Sequence, residues 1–200
     1  MNSSALPEFK VEGAVIHLLG APGTGKYTIA QEMLKLCDIR LVDNHLINNP
    51  LFSLVRLDGK TPLPARIWDN VVKIWDAVAD TMVHISPREF SFVLTNGLFE
   101  GDDEDRKHML NMKRVADERG GIYVPVRLVI SDVEEHIRRI TADSRSARMK
   151  ETDPAAPHKY ASREVLKTGL AAELTLDVTS LAPVDAARKI LAHAQSLKTA

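Results

Sequence analysis

Apolar residues recur in this chain at two alternating spacings. Five short runs are almost continuously apolar or β-branched, which is typical of buried strands; they cover residues 13–19, 39–42, 90–95, 122–130 and 174–178. Between these runs, apolar residues return at helical spacing, as Ile29, Met33 and Cys37 do. Strands that alternate with helices predict a parallel sheet between two layers of helices. We therefore expect a three-layer α/β fold with a five-stranded parallel sheet.

The segments between the predicted strands differ in character. A long helix is expected from Pro64 to about residue 83, with Trp68 and Trp75 packed in the core or in a small lobe. Shorter helices are predicted to start at the acidic cluster 101–105 and to cover residues 131–140, 162–168 and 183–197. Turn signals predict an irregular segment at 48–61, and the polar segment 141–160, which has no apolar period, predicts a mobile flap.

The segment GAPGTGKYT at 20–28, which follows the first predicted strand, has the spacing of a phosphate-binding loop. Glycines let backbone N–H groups converge on phosphate oxygens, and the following helix presents its positive end. The residues predicted to bind a nucleotide are Gly20, Gly23, Thr24, Gly25, Lys26, Tyr27 and Thr28. The alternative is an ordinary strand-to-helix turn with a solvated lysine.

Tyr27 departs from this pattern, because Ser or Thr normally follows the lysine and supplies a hydroxyl to magnesium. Thr28 lies one position later and is expected to contact an inner phosphate. At this point the sequence leaves open how magnesium is held.

The charge and apolar content of the chain exclude some classes of function. The 200 residues include 26 Lys and Arg and 27 Asp and Glu, for a net charge of -1. No basic excess is available to displace counterions from a polyanion, which argues against a nucleic-acid binder. No apolar run is long enough to cross a bilayer and residues 1–10 do not have the order of a signal peptide, so a cytoplasmic protein without a membrane partner is expected. Cys37 is the only cysteine and is expected to pack as a small apolar residue.

The order of elements from residue 13 to 197 resembles the small P-loop kinases, among them shikimate, gluconate, nucleoside-monophosphate and chloramphenicol kinases. Four segments carry the resemblance: GAPGTGKYT, LVDNH, RRITADSRSARMKETDP and LDVTSLAPVDAARKI. GKYT with DNH and the flap is also similar to uncharacterised shikimate-kinase-like proteins, in which the residue after the lysine is often neither Ser nor Thr. The resemblance implies ATP and Mg2+ as cofactors. It also implies one domain over 1–200, with a small mobile lid near 141–160 and a substrate-covering region near 44–66.

Phosphoryl transfer needs cations that neutralise the moving phosphoryl group and a carboxylate that orients the attacking hydroxyl. The resemblance gives the first role to Lys26 and the second to Asp43, which ends the second predicted strand. Asp43 and Thr28 are also the candidates for holding magnesium, Asp43 through water. The alternative for Asp43 is a cap on the following turn.

The resemblance also suggests residues that close the site. Three arginines in the flap or just before it are candidate catalytic residues, namely Arg139, Arg145 and Arg148. Asn44, His45 and Arg66 are candidate substrate contacts, with Arg56 as a competitor for Arg66. The alternative for the arginines is a solvated surface, and for His45 a local hydrogen bond.

The sequence thus predicts a kinase that uses ATP to phosphorylate a small hydroxylated metabolite, as a monomer or a homodimer. A nucleoside or nucleotide kinase is one alternative. Another is a nucleotide-binding switch or partner-binding protein with little or no kinase activity, because Tyr27 replaces the usual hydroxyl and no aspartate ends the third predicted strand.

Overall fold

Five parallel strands form a sheet in the computed structural model, which describes residues 7–56, 63–142, 155, 158, 160 and 163–199. The strands are β1 (Ala14–Leu19), β2 (Ile39–Asp43), β3 (Ser91–Asn96), β4 (Ile122–Val129) and β5 (Leu174–Asp177). Their order across the sheet is β2-β3-β1-β4-β5, with β1 at the centre. β1 and β3 are buried at every position, as expected of strands covered on both faces.

Helices cover both faces of this sheet. The described helices are α1 (Lys26–Leu36), α2 (Asn44–Phe52), α3 (Arg66–Asp80), α4 (Asp103–Glu118), α5 (Val133–Ile140) and α6 (Pro183–Thr199), and α3 continues into a π-helical turn (Thr81–Ile85). Alternate residues of β1 belong to two separate cores. Val15 and Leu19 pack with α2, α3 and α4, whereas Ile16 and Leu18 pack with α1 and α6. The predicted three-layer α/β fold is confirmed.

The register of the strands brings three polar segments to one edge of the sheet. Leu19 pairs with Asn96 between β1 and β3, and Asp43 pairs with Thr95 between β2 and β3. The loop after β1 therefore begins next to the ends of β2 and β3. Ligands of open parallel sheets bind at this carboxyl edge, where the strand order reverses.

Two local predictions, an irregular segment at 48–61 and a helix at 162–168, were wrong, and the burial predicted for the two tryptophans holds fully for only one of them. Residues 44–52 form α2, although 48–61 was predicted to be irregular, because Ile47 is buried against the α3 layer and this contact outweighs Pro50 inside the helix. Trp68 is 48% exposed, whereas Trp75 is buried as predicted. No helix covers residues 163–168; instead Val165 bridges to Phe99.

Two smaller predictions were confirmed. Cys37 is buried at the end of α1, and the acidic cluster starts α4, where Asp102 accepts the backbone N–H groups of Glu104 and Asp105. None of the helices described here combines the length and the apolar character that a membrane span requires.

Candidate active site

The loop between β1 and α1 is held tightly against its neighbours. Gly20 donates its backbone N–H to the Asn96 carbonyl at the end of β3, at 3.2 Å. Gly23 and Gly25 have φ angles of 95° and 84°, in the left-handed region that favours glycine. At Gly23 a Cβ atom would also lie 2.8 Å from the His136 ring. The spacing of glycines in the sequence is therefore required by the geometry of the loop.

Side chains within the loop bond to its own carbonyl groups. Lys26 Nζ donates to the carbonyl oxygens of Gly20 and Ala21, at 2.6 and 3.0 Å. The buried Thr24 hydroxyl donates to the same Ala21 oxygen at 2.9 Å. The lysine thus lies along the loop, within reach of the point where phosphates would enter.

His136 ties α5 to the same loop. Its Nε2 atom lies 2.6 Å from the carbonyl oxygen of Pro22. A carbonyl oxygen only accepts, so Nε2 carries the proton and donates. His136 is buried, and its ring fills the space beside Gly23. The bond therefore fixes the peptide group that leads into the first left-handed glycine.

The start of α1 differs from the starts of α4 and α5. Asp102 and Asp132 cap α4 and α5 by accepting backbone N–H groups of the first turn. At α1 no side chain caps the helix, and the first turn contains no acidic residue. The positive end of the α1 dipole thus suits an anion, and the phosphates of a nucleotide fit this requirement.

Asp43 and Thr95 lie side by side at the ends of β2 and β3. The Thr95 hydroxyl donates to Asp43 Oδ1 and accepts the backbone N–H of Asn44 at 3.2 Å. Asp43 is 3% exposed, so its carboxylate depends on such a partner. Although Asp43 directly precedes α2, its side chain makes no capping bond to that helix.

A pocket of about 280 Å³ opens between the phosphate loop and these strand ends. The candidate residues that line it are Gly23, Gly25, Lys26, Tyr27, Thr28, Asp43 and His45. On α2, His45 Nδ1 also lies 3.4 Å from Asn49 Oδ1, the local hydrogen bond that was the alternative for this residue. We call this space the acceptor pocket.

One wall of the acceptor pocket is aromatic. Phe99 and Tyr160 stack with ring centroids 5.5 Å apart and an interplanar angle of 12°. The Arg163 guanidinium lies over the Phe99 ring, 4.1 Å from its centroid. Phe99 itself is positioned by Asp105, whose carboxylate accepts its backbone N–H at 2.8 Å. This wall offers a flat apolar surface opposite polar groups.

A second pocket of about 590 Å³ lies on the other side of the phosphate loop, and we call it the donor pocket. Gly23, Gly25, Tyr27 and Thr28 line both pockets, and Thr24 lines only the donor pocket. Its outer wall is formed by the end of α5 and the turn between β5 and α6. The two pockets therefore meet at the loop.

Arg139 lines the donor pocket and holds its outer wall together. Its guanidinium donates to the carbonyl oxygens of Val178 and Thr179, both at 2.8 Å, and to Glu135 Oε1 at 2.6 Å. Hydrogen bonds from Arg138 and Arg139 lower the pKa of Glu135 to about 2. Arg139 thus links α5 to the β5–α6 turn.

The other predicted site residues are placed less centrally. Arg66 is exposed at the start of α3 and lines neither pocket, and Arg56 is also exposed. Arg145 and Arg148, with most of the predicted lid, lie outside the described residues.

Sequence reasoning missed four residues of this site, namely Thr95, Phe99, His136 and Tyr160. Thr95 had a usable signal, because it ends a predicted strand at the ligand edge. The other three reach the site through tertiary contacts that no local pattern reveals. Among the described residues, no group of three or more His, Cys, Asp or Glu side chains could hold a metal ion by itself. A metal at this site would therefore need phosphate or water oxygens as additional ligands, as magnesium at nucleotides has.

No protein-family model and no curated protein matches this sequence. Solved structures do match. A gluconokinase from Sinorhizobium meliloti 1021 has a TM-score of 0.65 at 14% identity, over 94% of both chains. An APS kinase from Mycobacterium tuberculosis, in complex with AMPPNP and APS, has a TM-score of 0.57 at 13% identity, over 92% of this chain and 98% of that chain.

A shikimate kinase from Acinetobacter baumannii, in complex with shikimate, is also similar, with a TM-score of 0.52 at 16% identity, over 93% of this chain and 95% of that chain. At such identities the similarity concerns the fold. The chain therefore has the fold of the small P-loop kinases.

Proposed function

We propose that this protein is a kinase that transfers a phosphoryl group from ATP to a small hydroxylated metabolite. The observation that carries the proposal is that the donor and acceptor pockets share the residues of one phosphate loop. Phosphoryl transfer requires two reactants held on either side of the moving group, so both pockets must meet at the phosphates. A binding protein without a second substrate has no such need for an acceptor pocket.

In this proposal the side chains around the phosphate loop have different roles in phosphoryl transfer. Lys26 would exchange its bonds to loop carbonyls for bonds to the terminal phosphates and so neutralise developing charge. Asp43, held by Thr95, would orient the acceptor hydroxyl, and His45 would contact the acceptor. Arg139 would shape the donor pocket, and Arg145 and Arg148 would close over the phosphates as part of a lid.

Magnesium fits the site through oxygen donors. Asp43, acting through water, and Thr28, which faces both pockets, are the residues that would hold it. Bound Mg2+ would neutralise charge on the β- and γ-phosphates. Because Tyr27 stands where Ser or Thr usually supplies a hydroxyl to magnesium, Asp43 and Thr28 would hold the ion instead.

A coupled ADP-release assay with Mg-ATP tests the proposal against sugars, sugar acids, nucleosides and aminoglycoside-like alcohols. We expect one class to raise ADP release at least about tenfold above the acceptor-free rate, and Lys26→Ala to remove about 100-fold or more of that activity. Lys35→Ala is the matched control, because Lys35 lies on the same helix but is exposed and paired with Glu32. It should leave the rate unchanged.

The outcomes separate the alternatives. Stimulation by nucleosides alone would identify a nucleoside kinase. ATP binding that depends on Lys26, without stimulation by any acceptor, would overturn the kinase proposal and support a nucleotide-binding switch. If the Lys26→Ala variant bound ATP as tightly as the wild type, the phosphate loop would not be the nucleotide-binding site.

A further inference from the structure

A chain of buried polar groups crosses the core below the acceptor pocket. His17, in the middle of β1, is fully buried among the residues that face α3 and α4. Its Nδ1 atom lies 2.8 Å from the Tyr123 hydroxyl and its Nε2 atom 2.9 Å from Asn96 Oδ1. Tyr123 and Asn96 are also buried. A polar side chain at the centre of a buried strand destabilises the fold unless each of its polar atoms forms a hydrogen bond. Both ring nitrogens of His17 have a hydrogen-bond partner.

The chemistry of these groups fixes the direction of each hydrogen bond. Burial, together with the neighbouring His108, lowers the pKa of His17 to about 3, so its ring is neutral and carries one proton. Asn96 Oδ1 can only accept, which places that proton on Nε2. Nδ1 must then accept, and Tyr123 donates its hydroxyl proton to it.

The same direction continues to the acceptor pocket. Because Asn96 accepts through Oδ1, it turns its Nδ2 group outward and donates to Asn44 Oδ1 at 3.3 Å. Asn44 lines the acceptor pocket, and its backbone is held by Thr95. Its side-chain oxygen is thus committed to the protein. Among the described residues, the Asn44 Nδ2 group has no hydrogen-bond partner.

We propose that Asn44 determines acceptor specificity as a hydrogen-bond donor, and that Asn96, His17 and Tyr123 are positioning residues that keep its NH2 group toward the acceptor pocket. The role in specificity rests on the proposed function, whereas the orientation of the amide does not. An amide held in this way favours an acceptor oxygen, such as a hydroxyl or a carboxylate, at this position. It disfavours an ammonium group there, which offers only donors.

Asn44→Asp is the most direct test. The substitution retains an oxygen that accepts from Asn96, so the buried chain of bonds stays intact. It replaces the NH2 donor with a carboxylate oxygen, which can only accept and carries negative charge. With the acceptor found in the ADP-release assay, we expect its KM to rise roughly tenfold, while the KM for ATP stays within about twofold. The variant should also lose its discrimination against amino-substituted acceptors. Equal increases in both KM values, or an unchanged acceptor KM, would overturn the role in specificity.

NMR of the 15N-labelled protein tests the orientation without any substrate. We expect His17 to carry its proton on Nε2 between pH 5 and 8, and the Asn44 NH2 protons to exchange rapidly with water while those of Asn96 are protected. A proton on Nδ1, or protected Asn44 NH2 protons, would overturn the proposal.

Asn96→Asp reverses the last hydrogen bond of the chain, the one between residues 96 and 44, and leaves the bonds from Tyr123 to His17 and from His17 to residue 96 unchanged. The introduced carboxylate can only accept, so Asn44 should turn its NH2 group inward and its protons should become protected from exchange. Asn111→Asp, on the outer side of α4 beside Arg114, is the matched control and should leave both spectra and KM values unchanged. If no acceptor is turned over, the proposed function fails, while the NMR results still decide how the amide is oriented.

Discussion

The Thr95 hydroxyl joins two functional parts of the candidate site. It donates to the buried carboxylate of Asp43 and accepts the backbone N–H of Asn44, so both of its hydrogen-bonding roles are used. Many P-loop proteins place an aspartate at the end of a strand that adjoins the loop. Here the aspartate ends β2, and β3 supplies the hydroxyl that orients it.

We predict that Thr95→Val lowers the rate of ADP formation about 10- to 100-fold, because a hydrogen bond to a charged group contributes about 1.5–3 kcal/mol. Valine keeps the shape of threonine but removes the hydroxyl. Calorimetric titration should show an unchanged Kd for ATP, since Thr95 lies on the acceptor side. Thr95→Ser keeps the hydroxyl and should retain most of the rate. A valine variant as fast as the wild type would contradict the prediction, as would a serine variant as slow as the valine variant.

The loop and Thr95 show which parts of the site a sequence reveals. The glycines at 23 and 25 are required by local backbone angles, and this requirement appears directly in the spacing of the motif. Thr95 acts on a residue 52 positions away, through a strand pairing that no local pattern contains. Its role therefore became visible only with the register of β2 and β3.

Among the elements, α2 was predicted least well. Asn48, Asn49 and Pro50 favour a turn, and the sequence was interpreted accordingly. In the structure Ile47 is buried and Leu51 packs against the same core, so tertiary contacts with α3 stabilise the helix. The strands, by contrast, were predicted to within one residue or so of each end. For β1, β3 and β4 the reason is that burial on both faces leaves nearly continuous apolar runs.

The junction between the π-helical turn and β3 depends on Arg119, a buried residue that directly follows α4. Its guanidinium donates to five backbone carbonyl oxygens, those of Met82, Ser86, Pro87, Arg88 and Phe90. The π-helical turn leaves carbonyl groups without helical partners, and the planar fork of arginine can reach several of them at once.

We predict that Arg119→Lys lowers the free energy of unfolding by about 2–3 kcal/mol, because an ammonium group cannot satisfy all of these carbonyls. Urea denaturation monitored by tryptophan fluorescence measures the change. Arg114→Lys is the control, since Arg114 is exposed and paired with Glu118, and it should change stability by about 0.5 kcal/mol or less. If Arg119→Lys lowered the free energy of unfolding no more than Arg114→Lys does, the five carbonyl oxygens would have to be hydrogen-bonded in another way.

At the scale of the whole molecule, two histidines with lowered pKa values lie on the same side of the sheet. The core on the α3 and α4 side includes His17 next to His108, with ring centroids 5.9 Å apart, and His108 in turn lies edge-on to Trp75 at 4.6 Å. Protonation of these two histidines should therefore destabilise this half of the molecule in acid.

Both histidines resist protonation in the folded protein. Burial and the neighbouring His108 lower the pKa of His17 to about 3, and burial lowers the pKa of His108 to about 4. Below about pH 6.5 the unfolded chain binds protons that the folded protein does not, so the free energy of unfolding falls as the pH falls. Each histidine contributes a slope of about 1.4 kcal/mol per pH unit between pH 6 and its folded pKa, and neither contributes above pH 7.

We predict that His108→Phe removes about 1.4 kcal/mol per pH unit from this slope between pH 6 and 4.5. At pH 7 the variant should be at least as stable as the wild type, because phenylalanine keeps the edge-on contact with Trp75 and eliminates a buried Nε2 that has no hydrogen-bond partner in the described structure. Urea denaturation at pH 7, 6, 5 and 4.5 measures both effects, and the carboxylates that titrate in this range are common to both proteins. Leu110→Phe, at an exposed position on the same helix, introduces the same side chain without removing a titrating group and should leave the slope unchanged. A difference in stability between His108→Phe and the wild type that stays constant with pH would mean that His108 is protonated as easily in the folded protein as in the unfolded chain.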